Sequence, residues 1–423
     1  MTPYFPGHGD HRYMVSHYDL ALKYRVSNNR LDGVALLTVT AAEQLSVLDL
    51  DLGAFRITGV TVDGVPARHL HGRGKLRVTL PWSLATGAVT RVEVRYSGSP
   101  VPVRSPWGGL GWEELSDGVL VAGQPIGAPS WFPCNDRPGD KASYRIAVTT
   151  ASPYRVIANG TLTAQRRGGG TTTWIYEQPE PMASYLASVQ IGRYQLMEVA
   201  GTRVAHPARL GTRVRHDFGR QGEMMAVFTD RFGPYPFAGY VVVVVDDELD
   251  IPVEAQGMSI FGRNHVDGRR GSERLVAHEL AHQWFGNSLT VSCWSDIWLQ
   301  EGFATYAEWL WSESSGGPPA ADHARRWHEH LSVLPQDFVL TDPGVGTMFD
   351  DRVYKRGALT VHALRRTLGD GVFFPLLRAW TAERRHANVT SRDFAEHVHR
   401  HAADPTGPLL SAWLHDKPLP PMP

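Results

Sequence analysis

The sequence predicts an α+β multidomain protein, with an all-β region over residues 1–203 followed by an α+β region over 204–423 that is mainly helical towards its end. Three observations predict this. A length of 423 residues exceeds what one ordinary core accommodates and asks for two or three. The first half of the chain repeats the two-residue alternation of half-buried strands. Near Arg203 that alternation gives way to a single buried strand and then to helical spacing.

In chain order, the leading segment from Met1 to Leu20 carries His8, His11, Arg12 and His17 and lacks the apolar run of a secretory signal. Tyr18, Leu20, Leu22, Tyr24 and Val26 then alternate with Asp19, Lys23 and Arg25. The pattern returns at Leu76, Val78 and Leu80, at Val92, Val94 and Tyr96, and at Tyr144, Ile146 and Val148. Asp63-Gly64, Asn159-Gly160 and the Gly168 to Gly170 triplet mark turns between such runs. The segment from Gln221 to Phe232 predicts a helix, and the valines from Val241 to Val245 predict a strand buried on both faces. Helical character sets in at Ser272. From Glu301 to Trp311, Phe303, Ala307, Leu310 and Trp311 share one helical face, and Thr390 with Asp393 forms a capping box that opens a late helix.

Charge and composition narrow the partners. The 42 basic and 43 acidic residues nearly cancel, so no global field gathers phosphate backbones or anionic lipid, and nucleic acid and membranes are not expected partners. No apolar run is long enough to cross a bilayer. Cys134 and Cys293 are far apart and outside any Cys/His cluster, which fits a reducing, cytoplasmic setting and leaves the sequons at Asn159 and Asn388 without meaning. A monomer is expected.

The segment Val276 to Trp284 reads V-A-H-E-L-A-H-Q-W. Helical residues four apart share a face, so His278 and His282 can offer both imidazoles to one cation, with Glu279 beside it. A catalytic zinc takes three protein ligands and leaves one position to water. The third candidate is Glu301, in W-L-Q-E-G-F-A-T-Y-A-E from Trp298 to Glu308. A lone His/Glu pair on a helix is ordinarily a polar face. Two histidines, an interposed glutamate and a later glutamate among apolar neighbours are not easily accidental.

These motifs resemble those of the gluzincin aminopeptidases related to aminopeptidase N and to leukotriene hydrolase. Val276 to Asn287 is close to the family signature, and Trp298 to Glu308 matches apart from Gln300, where asparagine is usual. Phe132 to Lys141, F-P-C-N-D-R-P-G-D-K, is similar to the family's motif in the N-terminal domain. Val353 to Ala358, V-Y-K-R-G-A, is similar to its Tyr-x-Lys-Gly segment, with Arg356 in place of lysine. The resemblance implies a saddle-like β domain, then a thermolysin-like catalytic domain, and commonly a further C-terminal helical domain for which this sequence has no room, so a short form with a more open cleft is expected. It implies one Zn2+ per chain, held by His278, His282 and Glu301, with Glu279 as general base and Tyr354 as hydrogen-bond donor to the oxyanion. The peptide-binding segment departs from the family's Gly-Ala-Met-Glu-Asn: here Pro252 to Gly262 reads P-V-E-A-Q-G-M-S-I-F-G. Alignment on Met258 puts Ser259 at the amine-binding position, whereas alignment on the acid puts Glu254 there. Glu254 is preferred, with Gln256, Gly257 and Met258 beside the substrate and Gln124 assisting at the free amine.

The implied activity is hydrolysis of the first peptide bond of peptides with a free N-terminus. An endopeptidase or zinc epoxide hydrolase of the same fold is one rival, and a noncatalytic peptide-binding scaffold is another. Other features take ordinary structural readings. Asp246 to Asp250 read as a solvated loop, and His323, His328, His330, His397, His399 and His401 as exposed positions on charged helices. Trp309 and Trp311 read as core. Glu308, on the same helical face as Glu301, either orients a ligand or faces solvent.

Overall fold

The computed structural model describes residues 4–402 and 406–423, so the first three residues of the leading segment lie outside it. Strands account for the chain through Pro207. Tyr13–Arg25 lies inside an eight-stranded sheet, paired antiparallel with Arg30–Ala41 and parallel with Lys141–Ala151. Tyr18, Leu20, Leu22 and Tyr24 all face the core, as the alternation predicts, and Tyr18 stacks on Tyr144 from the parallel neighbour. A three-stranded sheet, Leu45–Asp51, Lys75–Leu84 and Arg68–Gly72, and a five-stranded sheet running from Arg155–Ala158 to Val103–Ser105 complete this part. Asp63 and Gly64 take positive φ at a hairpin turn, the conformation that Asp-Gly favours.

The predicted division near Arg203 falls inside a strand. Thr202–Pro207 pairs antiparallel with Tyr194–Val199 and parallel with the valine strand Val241–Val244, which in turn pairs with Met258–Phe261. These strands and Val253–Ala255 form a second five-stranded sheet, and we place the division at Arg193, before its first strand. Alternation reads alike on either side of a boundary; sheet membership is decided by pairing across the chain.

The helices follow as α1 (Gly211–Asp217), α2 (Gln221–Phe232), α3 (Glu273–Ala281), α4 (Trp298–Ser314), α5 (Ala320–Ser332), α6 (Asp351–Leu368), α7 (Asp370–Glu383), α8 (Ser391–His401) and α9 (Thr406–His415). The capping box of α8 is formed by Thr390 and Asp393 as predicted. α4 is buried along nearly its whole length, including Trp309 and Trp311, and each large apolar side chain it removes from water is worth about 1.5–3 kcal/mol. α4 and α6 cross where two glycines meet: a Cβ at Gly302 would lie 2.7 Å from the Gly357 Cα. No other residue type allows that approach, which sets the residues preceding Gly302 and Gly357 beside one another.

The motif from Phe132 to Lys141 is a seam. Asn135 binds the carbonyls of Asp10 and Tyr13 and the Asp140 carboxylate, while Lys141 Nζ donates to the carbonyls of Asn287 and Ser288, 3.1 and 2.9 Å away. The chain's first part thereby grips the loop that follows α3. Arg356 donates to the carbonyls of Trp413, Asp416 and Lys417, three acceptors that one lysine ammonium could not reach in the same planar spread. Asn159 is buried and bonded to the carbonyls of Leu186 and Gln256, which also closes that sequon to modification in the folded chain.

Candidate metal centre

Three side chains from two helices converge. His278 projects from α3, His282 sits at its C-terminal cap and Glu301 lies in the first turn of α4, all nearly inaccessible to solvent. Both Nε2 atoms are 3.5 Å from Glu301 Oε2, and one ligand atom from each residue lies within 4.8 Å of the others. The opposite ring nitrogens fix the tautomers. His278 Nδ1 donates to Glu308 Oε1 at 2.8 Å and His282 Nδ1 to the Phe285 carbonyl at 3.0 Å, so both Nε2 lone pairs point at the shared space. Of the two readings open for Glu308, ligand orientation is the one the structure adopts. Its carboxylate is buried and also receives Arg274.

The electrostatics suit a cation. Burial alone would depress both imidazoles, but Glu301 and Glu308 outweigh it at His278 and raise it to about 9, while Glu301 and Glu254 raise His282 to about 10. Burial pushes the Glu301 carboxyl up, yet the two histidines hold it down to about 2. The carboxylates thus stabilise positive charge where the Nε2 atoms meet. Glu279 is 4 % exposed, its carboxyl raised by burial, and its Oε2 has no hydrogen-bond partner among the described residues. An orphaned buried carboxylate oxygen is costly unless a further group docks there. Two imidazoles, a carboxylate and that waiting base fit a zinc ion with its water.

Tyr354 lies alongside. Its ring stacks on His278 with centroids 6.2 Å apart, and Glu301, Glu254 and Glu279 lie near enough for their charges to act on its phenol. Burial raises the phenol well above its usual range, so it remains a proton donor.

In the altered segment, Glu254 and Ser259 have different surroundings. Glu254 lies on the short strand Val253–Ala255, directly opposite Ser259, and its carboxylate is within 4.8 Å of ligand atoms of Glu279 and His282. That second cluster shares only His282 with the first, which alone of the two offers a pair of imidazoles whose Nδ1 atoms are bonded elsewhere. Burial pushes the Glu254 carboxyl up to about 7. Ser259 is buried and hydrogen-bonded to the Tyr240 hydroxyl. The other expected substrate residues do different work. Gln256 is buried and donates to the carbonyls of Glu180 and Pro181, Gly257 makes the hairpin turn at φ 73°, and Met258 belongs to a buried apolar cluster. Gln124 presents a buried Nε2 without a partner among the described residues, and follows Gly123, where a Cβ would run into the Tyr185 carbonyl.

Sequence reasoning missed the clamp on that hairpin. Gln283, next to His282, accepts from Gly257 N at 2.8 Å and donates to the carbonyls of Ala255 and Met258, while Asn287 Nδ2 donates to Ala255. Both are signature residues whose role is to hold Glu254 at the metal helix. Gln300 reaches the Tyr185 hydroxyl, itself bonded to the Gly286 carbonyl, so the N-terminal region braces the centre again.

Two family models and several solved structures are similar to this chain. The peptidase M1 N-terminal domain model matches residues 14–186 and the peptidase family M1 domain model residues 217–413. The M1 zinc metallopeptidase of Deinococcus radiodurans is 32% identical, with a TM-score of 0.90 over 99% of this chain and 98% of that one. A variant of it solved with a Tyr-Ser-Ala substrate is similar at 31% identity and TM-score 0.90. Probable M1 family aminopeptidase 1 of Encephalitozoon cuniculi is 24% identical, covering 94% of this chain and 50% of its own length. The chain spans about half the length of the curated relatives it matches, or less: the Arabidopsis thaliana aminopeptidase M1 match, at 24% identity, covers 70% of this chain and 36% of that protein.

Proposed function

Because this chain belongs to peptidase family M1, we propose that it is a zinc aminopeptidase that releases the N-terminal residue of peptides, with one catalytic zinc held by His278, His282 and Glu301. The observation that carries the proposal is the convergence of two Nε2 lone pairs on Glu301 beside the unpartnered Oε2 of Glu279. When bound, zinc supplies Lewis-acid polarisation of water and of the scissile carbonyl. Glu279 takes the proton of the attacking water and returns it to the departing amine, a role its raised carboxyl suits. The Tyr354 hydroxyl donates a hydrogen bond to the oxyanion that develops on the carbonyl. Glu254 accepts the α-ammonium group, assisted by Gln124 through its amide oxygen, and that anchor sets the first peptide bond against Glu279.

No described helix is long and apolar enough to cross a membrane. The two unpaired cysteines are in keeping with the reducing, cytoplasmic setting proposed for this chain. The test is an aminoacyl-arylamide panel on the native protein with and without a chelator, and on Glu279→Gln. Chelation and the substitution are each expected to abolish turnover, the latter by about 10²–10⁴-fold with zinc retained. N-acetylated substrates should be refused. Undiminished turnover in Glu279→Gln removes the mechanism, and equal cleavage of acetylated peptides removes the amine anchor.

A further inference from the structure

A second pair of histidines four residues apart lies on α8, a helix that packs on α4 through Ser391 and Phe394 but carries none of the residues of the first centre. His397 and His401 face Glu383, the last residue of α7, and the expectation that all three histidines of this stretch are exposed fails at His397. It lies on the apolar face with Phe394 and Val398, is 0 % exposed and packs against the Trp380 ring. Its Nε2 is 3.0 Å from the Leu376 carbonyl oxygen. A carbonyl can only accept, so Nε2 carries the proton and Nδ1 presents a lone pair. That Nδ1 has no hydrogen-bond partner among the described residues and looks at Glu383 Oε2 from 3.4 Å. His401 Nε2 lies 3.2 Å from Glu383 Oε1, and one donor atom from each of the three residues falls within 4.8 Å of the others.

A buried lone pair aimed at a carboxylate sets two acceptors across a gap, an arrangement that costs free energy unless a cation stands between them. We infer that Glu383, His397 and His401 form a second divalent-cation site, distinct from the catalytic one, that takes zinc or a metal of similar preference. Two imidazoles and a carboxylate suit such an ion, and the half-exposed flank at His401 and Glu383 leaves room for water at the remaining positions. The ion ties the end of α7 to the last turn of α8. The competing cation is Arg400, whose guanidinium is 3.4 Å from Glu383 Oε2; half exposed, it can turn to solvent when the metal binds. Arg384 stays over the Trp380 ring and engages Asp393 instead.

The test titrates the zinc-loaded enzyme, freed of excess metal, with ZnCl2 by calorimetry, and counts zinc per chain by atomic emission. Two ions per chain are expected in the native protein and one in the His401→Ala/Glu383→Gln double variant, with kcat/KM on an aminoacyl-arylamide unchanged. Both replaced side chains are solvent-exposed, so the fold is retained, and the thermal midpoint of the native protein alone should rise with added zinc. A native count of one, which would make His397 an imidazolium paired with Glu383, overturns the inference. So does a second ion that persists in the double variant, which would be adventitious.

Discussion

The His278/His282 pair and the His397/His401 pair share one spacing, one helical geometry and one partnering glutamate, yet they are built to different depths. At the first, every ring nitrogen is committed: Nδ1 of each histidine is satisfied by Glu308 or by the Phe285 carbonyl, and each Nε2 faces Glu301. At the second, one imidazole is fixed by the Leu376 carbonyl, whereas His401 and Glu383 lie at the surface. Among the described residues, the first also has Glu279 and Glu254, outside the set of His278, His282 and Glu301, within reach of His282. Spacing makes a ligand pair; the surrounding carboxylates give the first pair the base that the proposed reaction requires.

The comparison can be sharpened by substitutions that act on one pair alone. Tyr354→Phe removes the oxyanion donor and is expected to lower kcat by about 10²–10³-fold with KM and zinc content unchanged, measured by steady-state kinetics with metal analysis. A loss confined to KM would reassign Tyr354 to binding. Glu308→Gln takes the charge from behind His278, and catalytic zinc affinity should fall by about 10–100-fold while the α8 site keeps its ion, as read by competition with a chromophoric chelator. Equal loss at both would show that the pairs are coupled and break the contrast. Glu254→Gln should raise KM for free-amine substrates by about tenfold, roughly the contribution of one charge-assisted hydrogen bond, and narrow the discrimination against acetylated ones. Unaltered discrimination would leave Glu254 a bystander.

Local signals in the sequence carried a good deal of this. The α2 helix from Gln221, the α8 capping box and the buried valine strand follow from period and capping chemistry. The meeting of His278, His282 and Glu301 was foreseeable because i,i+4 spacing acts within one helix and the helical stretch from Trp298 to Glu308 offers the next acid. Gln283 and Asn287, by contrast, could be matched to a motif without their task being visible, since they bind a hairpin distant in sequence. His397 was misread because a charged stretch gives no sign that one of its residues sits with Phe394 and Val398 on the buried face.

What the sequence determined by itself is the chemistry available: which side chains ionise, which can ligate and which share a helical face. The tertiary structure decided which of them meet. Gly302 against Gly357 brings Tyr354 to Glu301, Gln283 brings Glu254 to Glu279, and pairing across the chain assigns Thr202–Pro207 to the second sheet. Periodicity is a property of neighbouring residues, whereas these contacts depend on close packing between segments that the chain order keeps apart.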